Sequence, residues 1–398
     1  MAGARARRDN RAMQRVSSDG GSAAGIAVAG LVALAVAMGI GRFAFTPIMP
    51  MMEADAGLTL RAAGWLAAAN YLGYFIGALC AARLSLRQAV RGGLLLIAAV
   101  TFAMGIAHVF WLQLILRLLA GVASAWVLVH VSAWALTRLQ ELGRGGAGGT
   151  LYAGVGIGVA AAGLLVMGAM QAQWHSDRTW QLFGVLSLLV ALALWRAFRG
   201  RDPAARGHDG PSTRIHWNAD KRRLLWCYGA LGIGYIIPAT YLPEMAHRYI
   251  TDPLVFGLAW PVFGAASALS TVIAARWLAH VNDRKLWAAC YLLMALGSAL
   301  PALWPGLAAI LIAALLVGGT YMVVTMQGLR EARRAAGAEA TPFIAVMTAS
   351  FAIGQIAGPL LVSAVAHLPH GFNAMLLAAA ILVLLAAVSL WRSANATE

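Results

Sequence analysis

The chain has 398 residues, of which 61% are hydrophobic and only 11% charged, and its mean hydropathy is +0.74. A soluble chain carries about 25% charged residues, so this one has too little polar surface to cover a water-facing core, and lipid is the expected cover. The formal net charge of +15 would suit nucleic acid, but the basic residues fall in short gaps between apolar runs, the pattern of a membrane topology signal.

In chain order, residues 1–22 hold Arg5, Arg7, Arg8, Arg11 and Arg15 and read as a disordered basic tail. The apolar run that follows is too long for the core of a cleaved signal and becomes the first span. Apolar windows predict spans near 24–49, 63–84, 90–110, 112–137, 149–170 and 179–198, then a polar stretch, then spans near 224–243, 254–279, 286–303, 305–327, 342–367 and 371–391. Each reaches the roughly 20 residues that a helix needs to cross the hydrocarbon. The expected organisation is a six-helix bundle over 23–198, a cytoplasmic linker over 199–223, a second six-helix bundle over 224–392 and a tail over 393–398.

The charges support that parsing. Of 30 Lys and Arg, Arg42 and Arg117 lie deep within spans and Arg61, Arg178 and Arg248 on one side, which leaves 25 in the gaps and tails of the other side or at the span ends beside them. A wrong span count would scramble this asymmetry, so both chain ends are expected in the cytoplasm of an inner-membrane protein. Cys80, Cys227 and Cys290 lie inside apolar runs without metal-ligand spacing, and no metal or cofactor is expected.

The chain carries a weak internal duplicate. Gly39-Ile40-Gly41-Arg42 through Pro50-Met51-Met52 is repeated, 193 residues on, as Gly232-Ile233-Gly234-Tyr235 through Pro243-Glu244-Met245. Ala81-Ala82-Arg83 matches Ala274-Ala275-Arg276 at the same offset. The copies lie at the first and seventh spans, as a parallel repeat of two halves requires.

Two guanidinium groups inside spans need compensation, because a cation buried in the bilayer costs from about 3 to more than 10 kcal/mol. For Arg42 the choices are snorkelling to the headgroups, pairing with Glu53 or Asp55, or binding an anionic solute. Arg117 either joins it on the solute or binds backbone carbonyls. Guanidinium forks match carboxylates and phosphates, so an organic anion is the preferred solute. Glu244 is the candidate for proton coupling, with a solvated loop acid as the alternative. His130, flanked by Trp126 and Trp134, reads first as a packing residue and second as a proton relay. Asn70, Tyr71, Tyr74, Tyr235, Tyr321 and Gln327 are polar groups that shape the pocket or bond between helices. Pro47, Pro50, Pro238 and Pro243, with Gly39 and Gly41, weaken the ends of spans one and seven and are expected to gate. Gly154, Gly156, Gly158, Gly163, Gly354 and Gly358 allow close helix contact.

The run Gly39-Ile-Gly-Arg-Phe-Ala-Phe-Thr-Pro-Ile-Met-Pro50, with Tyr152-Ala-Gly-Val-Gly-Ile-Gly158 and Ser350-Phe-Ala-Ile-Gly-Gln355 leading to Gly358-Pro359, resembles the major facilitator superfamily and, within it, the YbfB/YjiJ-type transporters. Arg117 followed by Gly121 is similar to that superfamily's fourth-span pattern. The resemblance implies twelve helices in two pseudo-symmetric bundles, ion-coupled solute transport by alternating access, and a cavity lined by spans one and four. The usual acidic loop pattern between spans two and three is reduced to Gly77, Arg83 and Arg87, while Asp283-Arg284-Lys285 keeps part of the second copy. No nucleophile–base set or phosphate loop is visible, so an enzyme is the minor alternative and a carrier of neutral or drug-like compounds the nearer one. A monomer is expected.

Overall fold

The structure is a computed structural model that describes residues 22–144, 148–198, 215–249, 252, 255, 257–278, 280–365 and 367–395. The tail and most of the linker lie outside these residues. Among the described residues twelve long helices follow one another: α1 (Ala23–Ala56), α2 (Leu60–Cys80), α3 (Gln88–Met104), α4 (Phe110–Glu141), α5 (Gly148–Gln171), α6 (Ser176–Ala193), α7 (Ala219–Tyr249), α8 (Ala259–Arg276), α9 (Asp283–Leu303), α10 (Leu307–Ala336), α11 (Ala340–Val365) and α12 (Gly371–Asn395). Each matches one expected span, although α7 starts at Ala219 rather than near 224 and α4 and α10 overrun their expected ends. An even number of helices puts Ala23 and Asn395, the outermost helical residues described, on one face, called here the terminal face.

Local chemistry sets the helix ends. Ser22 Oγ and Thr59 Oγ1 accept from the backbone N–H groups of Gly25 and Ala62, and Asn282 Oδ1 accepts from Arg284 and Lys285. Gly57 closes α1 in the left-handed region at φ 64°. By length and composition ten of the described helices can cross a membrane. The exceptions are α3, which opens with Gln88 and Arg91, and α8, whose Trp260, Ser267 and Thr271 are buried against protein rather than lipid.

The expected single helix at α1 is interrupted. Regular turns over Ala23–Leu34 and Phe45–Ala56 flank a wide π-type turn over Ala35–Ile40 and an irregular stretch up to Ala44. Pro47 removes the donor that would bond the Phe43 carbonyl, which Thr46 N–H takes instead at 3.2 Å, so the ladder is irregular just before the second regular segment, while Pro50 lies inside that segment.

Packing follows the rule for helices in lipid, where small residues let backbones approach. The helix pair α5 and α8 runs together along its depth: a Cβ on Gly149 would meet Ala275, on Gly156 the Gly264 carbonyl, and on Gly163 Pro261. Gly39 lies on Gly158, and Gly41 faces Ser124. The first six and last six helices meet along α5–α8, along α2–α11, and where the second part of α1 packs on α7. They are bridged at the face opposite the termini, where Ser363 Oγ donates to the Arg61 carbonyl at 3.0 Å, and deeper, where Tyr71 in the middle of α2 shares a hydrogen bond of 3.3 Å with Thr240 of α7.

On the terminal face of the second half, charges interlock. Arg284 forks onto Asp220 at 2.8 and 2.7 Å and donates through Nε to Glu331 at 2.6 Å, while Asp283 takes Arg334 at 2.6 Å. Among the described residues, the equivalent corner of the first half holds only an exposed pair, Arg138 Nη1 to Glu141 Oε2 at 3.3 Å. There His130 pins the loop, with Nε2 3.0 Å from the Leu84 carbonyl and Nδ1 3.0 Å from the Trp126 carbonyl.

Candidate functional site

The break in α1 exposes backbone carbonyls to side chains from two neighbouring helices. Asn70 Nδ2, from α2, donates to the Gly41 carbonyl at 3.2 Å and the Arg117 carbonyl at 2.9 Å. Arg117 Nη2, from α4, donates to the Arg42 carbonyl at 3.0 Å. Of the two readings open for Arg117, this geometry favours the carbonyl-binding one. Its guanidinium also lies 5.1 Å from the Phe45 ring and 6.0 Å from that of Trp180. Asn70 and Arg117 thereby hold the irregular stretch that carries Arg42.

Arg42 is 3% exposed, so its side chain does not snorkel into lipid. Its guanidinium carbon sits 4.1 Å from the Tyr74 ring centre, 5.1 Å from Phe43 and 5.3 Å from Tyr71. A desolvated cation–π contact is worth about 2 kcal/mol, so the cage offsets a good part of the burial cost. Among the described residues no carboxylate pairs with Arg42 or Arg117. Asp55 accepts from the Ser176 backbone and hydroxyl at 2.5 and 2.7 Å, capping α6 instead of meeting Arg42.

One edge of the Arg42 fork faces the second half. Nη2 donates to the Tyr235 hydroxyl over 3.4 Å, and Nε is buried with no partner. Arg42 and Tyr235 are 193 residues apart, the offset of the repeat. Equivalent residues of two halves touch only where they lie on the axis that relates those halves, so the pair marks the pseudo-two-fold axis. Gln355 Nε2, from α11, donates to the same hydroxyl. The Tyr235 ring is stacked between Tyr321 at 5.1 Å and Phe351 at 5.9 Å, and the stack continues through Phe263 to Trp260. The Tyr321 hydroxyl lies alongside that of Ser267 with no hydrogen bond closed.

The structure thus gathers Arg42, Asn70, Tyr71, Tyr74, Arg117, Tyr235 and Tyr321 into one cluster. Gln327 stands apart, about 9 Å along α10 from Tyr321, fully buried with both amide atoms unpartnered. The side chains of Glu244 and Pro243 lie outside the described residues. Pro47 and Pro50 are buried in the part of α1 that packs on α7, and Pro238 is buried in α7. Gln355, Thr240 and Phe43 join the site without having been singled out as site residues, although Gln355 closes one of the motifs. A separate cavity of about 430 Å³ opens at the face opposite the termini, lined by Asp55, His108, Gln113, His175 and Trp180. Trp180 links it to Arg117.

The family model described as "Uncharacterised MFS-type transporter YbfB" matches residues 34–390. Among solved structures, the chain is similar to a mutant form of a nucleoside transporter, NupG, at a TM-score of 0.71 and 14% identity, covering 92% of this chain and 99% of that one. It is also similar to a bacterial homologue of the human lysosomal transporter Spinster in an inward-facing and occupied conformation, at a TM-score of 0.66 and 14% identity, covering 94% and 97%. At these identities the likeness shows the fold alone. No curated protein matches the chain.

Proposed function

The chain belongs to the YbfB family of MFS-type membrane transporters, and on that premise we propose that it carries a small organic anion across the inner membrane by alternating access, as a monomer with both ends in the cytoplasm. The observation that carries this reading is a guanidinium on the axis between the halves, buried, with no carboxylate partner among the described residues and with donors to spare. A carboxylate or phosphate is the group that such a fork accepts best. The Ser363–Arg61 bridge at the face opposite the termini and the Tyr71–Thr240 bridge beneath it would close one side of the path. Their loss, with closure at the terminal face, opens the other. The basic residues assigned to the terminal side of the spans support a cytoplasmic terminal face.

Protons are the proposed coupling ion, with Glu244 of α7 as the titrating group, since the described residues put no acid beside Arg42. A second reading has a specific observation in its favour. The aromatic cage compensates Arg42 without any guest, as a carrier of neutral compounds with Arg42 in coupling would require. Reconstitution into liposomes under an imposed pH gradient separates the two. Uptake of organic acids that Arg42→Gln abolishes, with the folded protein retained, is the expected result. Transport of neutral compounds alone supports the second reading, and wild-type transport by Arg42→Gln removes Arg42 from the mechanism.

A further inference from the structure

His130 lies toward the terminal end of α4, and both of its ring nitrogens face oxygen. Nε2 is 3.0 Å from the carbonyl of Leu84, in the loop between α2 and α3, and Nδ1 is 3.0 Å from the Trp126 carbonyl, one turn back on α4. A carbonyl oxygen only accepts. A neutral imidazole has one N–H and one lone pair, and the imidazolium alone donates from both nitrogens. Either neutral tautomer would set a lone pair against a carbonyl oxygen at hydrogen-bond distance, so the ring would have to turn from one partner. The two bonds together require a proton on each nitrogen.

The ring is held in place. It is 7% exposed, and Trp126 beside it is itself fixed, donating through Nε1 to Cys80 Sγ at 3.2 Å. On the elements packed around it the other titratable groups are Cys80, Arg83, Arg87, Arg91 and Tyr152. Further along α4 come Arg138 and Glu141, an exposed pair. Glu141 is the one carboxylate of that set, and it lies eleven residues from His130, about 16 Å along the helix. Carbonyl dipoles rather than a counter-charge therefore hold the proton.

We infer that His130 is a proton-binding site: the loop between α2 and α3 is docked on α4 while the imidazole is charged, and loss of the proton loosens it. The sign follows from which state holds the proton. The docked loop binds it more tightly than the free loop, so low pH favours docking, and docking weakens as pH rises through the imidazole range of about 5 to 8. The effect reaches the central cluster through two helices. Asn70, Tyr71 and Tyr74 stand on α2 and Arg117 on α4, and the bond from His130 to Leu84 ties the terminal ends of these helices together. Proton exchange at the terminal face thus changes how firmly the helices around Arg42 are joined. This site needs neither the anion nor Glu244, and it goes beyond the reading above.

The test uses the full chain in lipid nanodiscs, with no solute added. Nitrogen-15 NMR of histidine-labelled protein reads each ring nitrogen directly, and His130→Gln assigns the signal among the nine histidines. Both nitrogens of His130 are expected to carry protons where the loop is docked, and a ring that stays neutral from pH 5 to pH 8 overturns the inference. Hydrogen exchange at residues 84–88, corrected for its intrinsic pH dependence, follows the docking. It should rise in the wild type by up to about tenfold per unit of pH, the limit set by one proton. In His130→Gln, whose amide donates to Leu84 at every pH, it should stay flat. A flat wild-type curve overturns the inference whether or not the variant folds, and so does a pH dependence that persists in the variant. Neither readout involves the solute, so these failures leave the anion reading untouched, and failure of anion uptake leaves this site standing.

Discussion

Gly156 and Gly168 lie about three turns apart on α5 and should respond in opposite ways to the same added methyl group. A Cβ at Gly156 would stand 2.5 Å from the Gly264 carbonyl oxygen, whereas ordinary contact begins near 3.4 Å, so α5 and α8 must part by roughly 0.9 Å. Neither obstacle is the loose end of a side chain; the other is the Ala268 backbone nitrogen. Overpacking of this kind costs about 1–3 kcal/mol. The helix-propensity gain from Gly to Ala, up to about 1 kcal/mol, offsets only part of that, and less still where the denatured state keeps its helices in detergent. At Gly168 nothing lies within 4 Å of the added atom, so only the gain remains. Thermal unfolding of Gly156→Ala and Gly168→Ala in the same detergent should show a clear fall for the first and no change or a small rise for the second. Transport by Gly156→Ala should fall as well, because the seam between the halves is no longer at its resting separation. Equal unfolding midpoints would mean that α5 and α8 do not approach as closely as described, and the close-packed seam would have to be abandoned.

Two further outcomes concern the terminal face. Arg284→Ala should destabilise the protein by about 3 kcal/mol, the low end for breaking a buried ion pair, because Arg223 and Arg334 still reach Asp220 and Glu331. Arg138→Ala, whose partner Glu141 is exposed, should cost less than about 1 kcal/mol; unfolding midpoints of the two variants check this. Glu339 accepts from Lys221 at 2.5 Å and from the His216 ring at 2.5 Å, and these hydrogen bonds hold its carboxyl down to about 2. A depressed acid adds stability that is complete above its ordinary value and fades as pH falls through the lowered one. The wild type should therefore lose stability between about pH 4.5 and pH 2, and Glu339→Gln should flatten that part of the curve; an unchanged acid limb would refute the assignment.

How much of this was legible beforehand varies with the physics involved. The span count follows from apolar length, which acts over whole segments and survives errors of a few residues. Arg42 stood out because a guanidinium in an apolar run has so few ways to be tolerated. Its actual surroundings did not stand out, since Tyr74 and Phe43 become its partners through the turn geometry of α1. The break itself was half visible in Pro47, but its consequence was not: hydropathy carries no trace of a carbonyl left free. In the sequence Arg117 is therefore balanced between two roles, and its bond to the Arg42 carbonyl favours one of them. Asp55 was weighed as a partner for Arg42 by nearness in sequence, and the start of α6, 121 residues away, claimed it instead.

The meeting of Arg42 with Tyr235 explains why a duplicated chain had to become unequal at this place. Had both copies kept arginine, two like charges would oppose each other across a few ångströms, at roughly 4 kcal/mol for 4 Å in a partly polar interior, and the bundles would push apart at their common centre. Tyrosine in one copy turns that repulsion into attraction and leaves one cation on the axis itself, caged by Phe43, Tyr71 and Tyr74 of its own half and bonded to Tyr235 of the other.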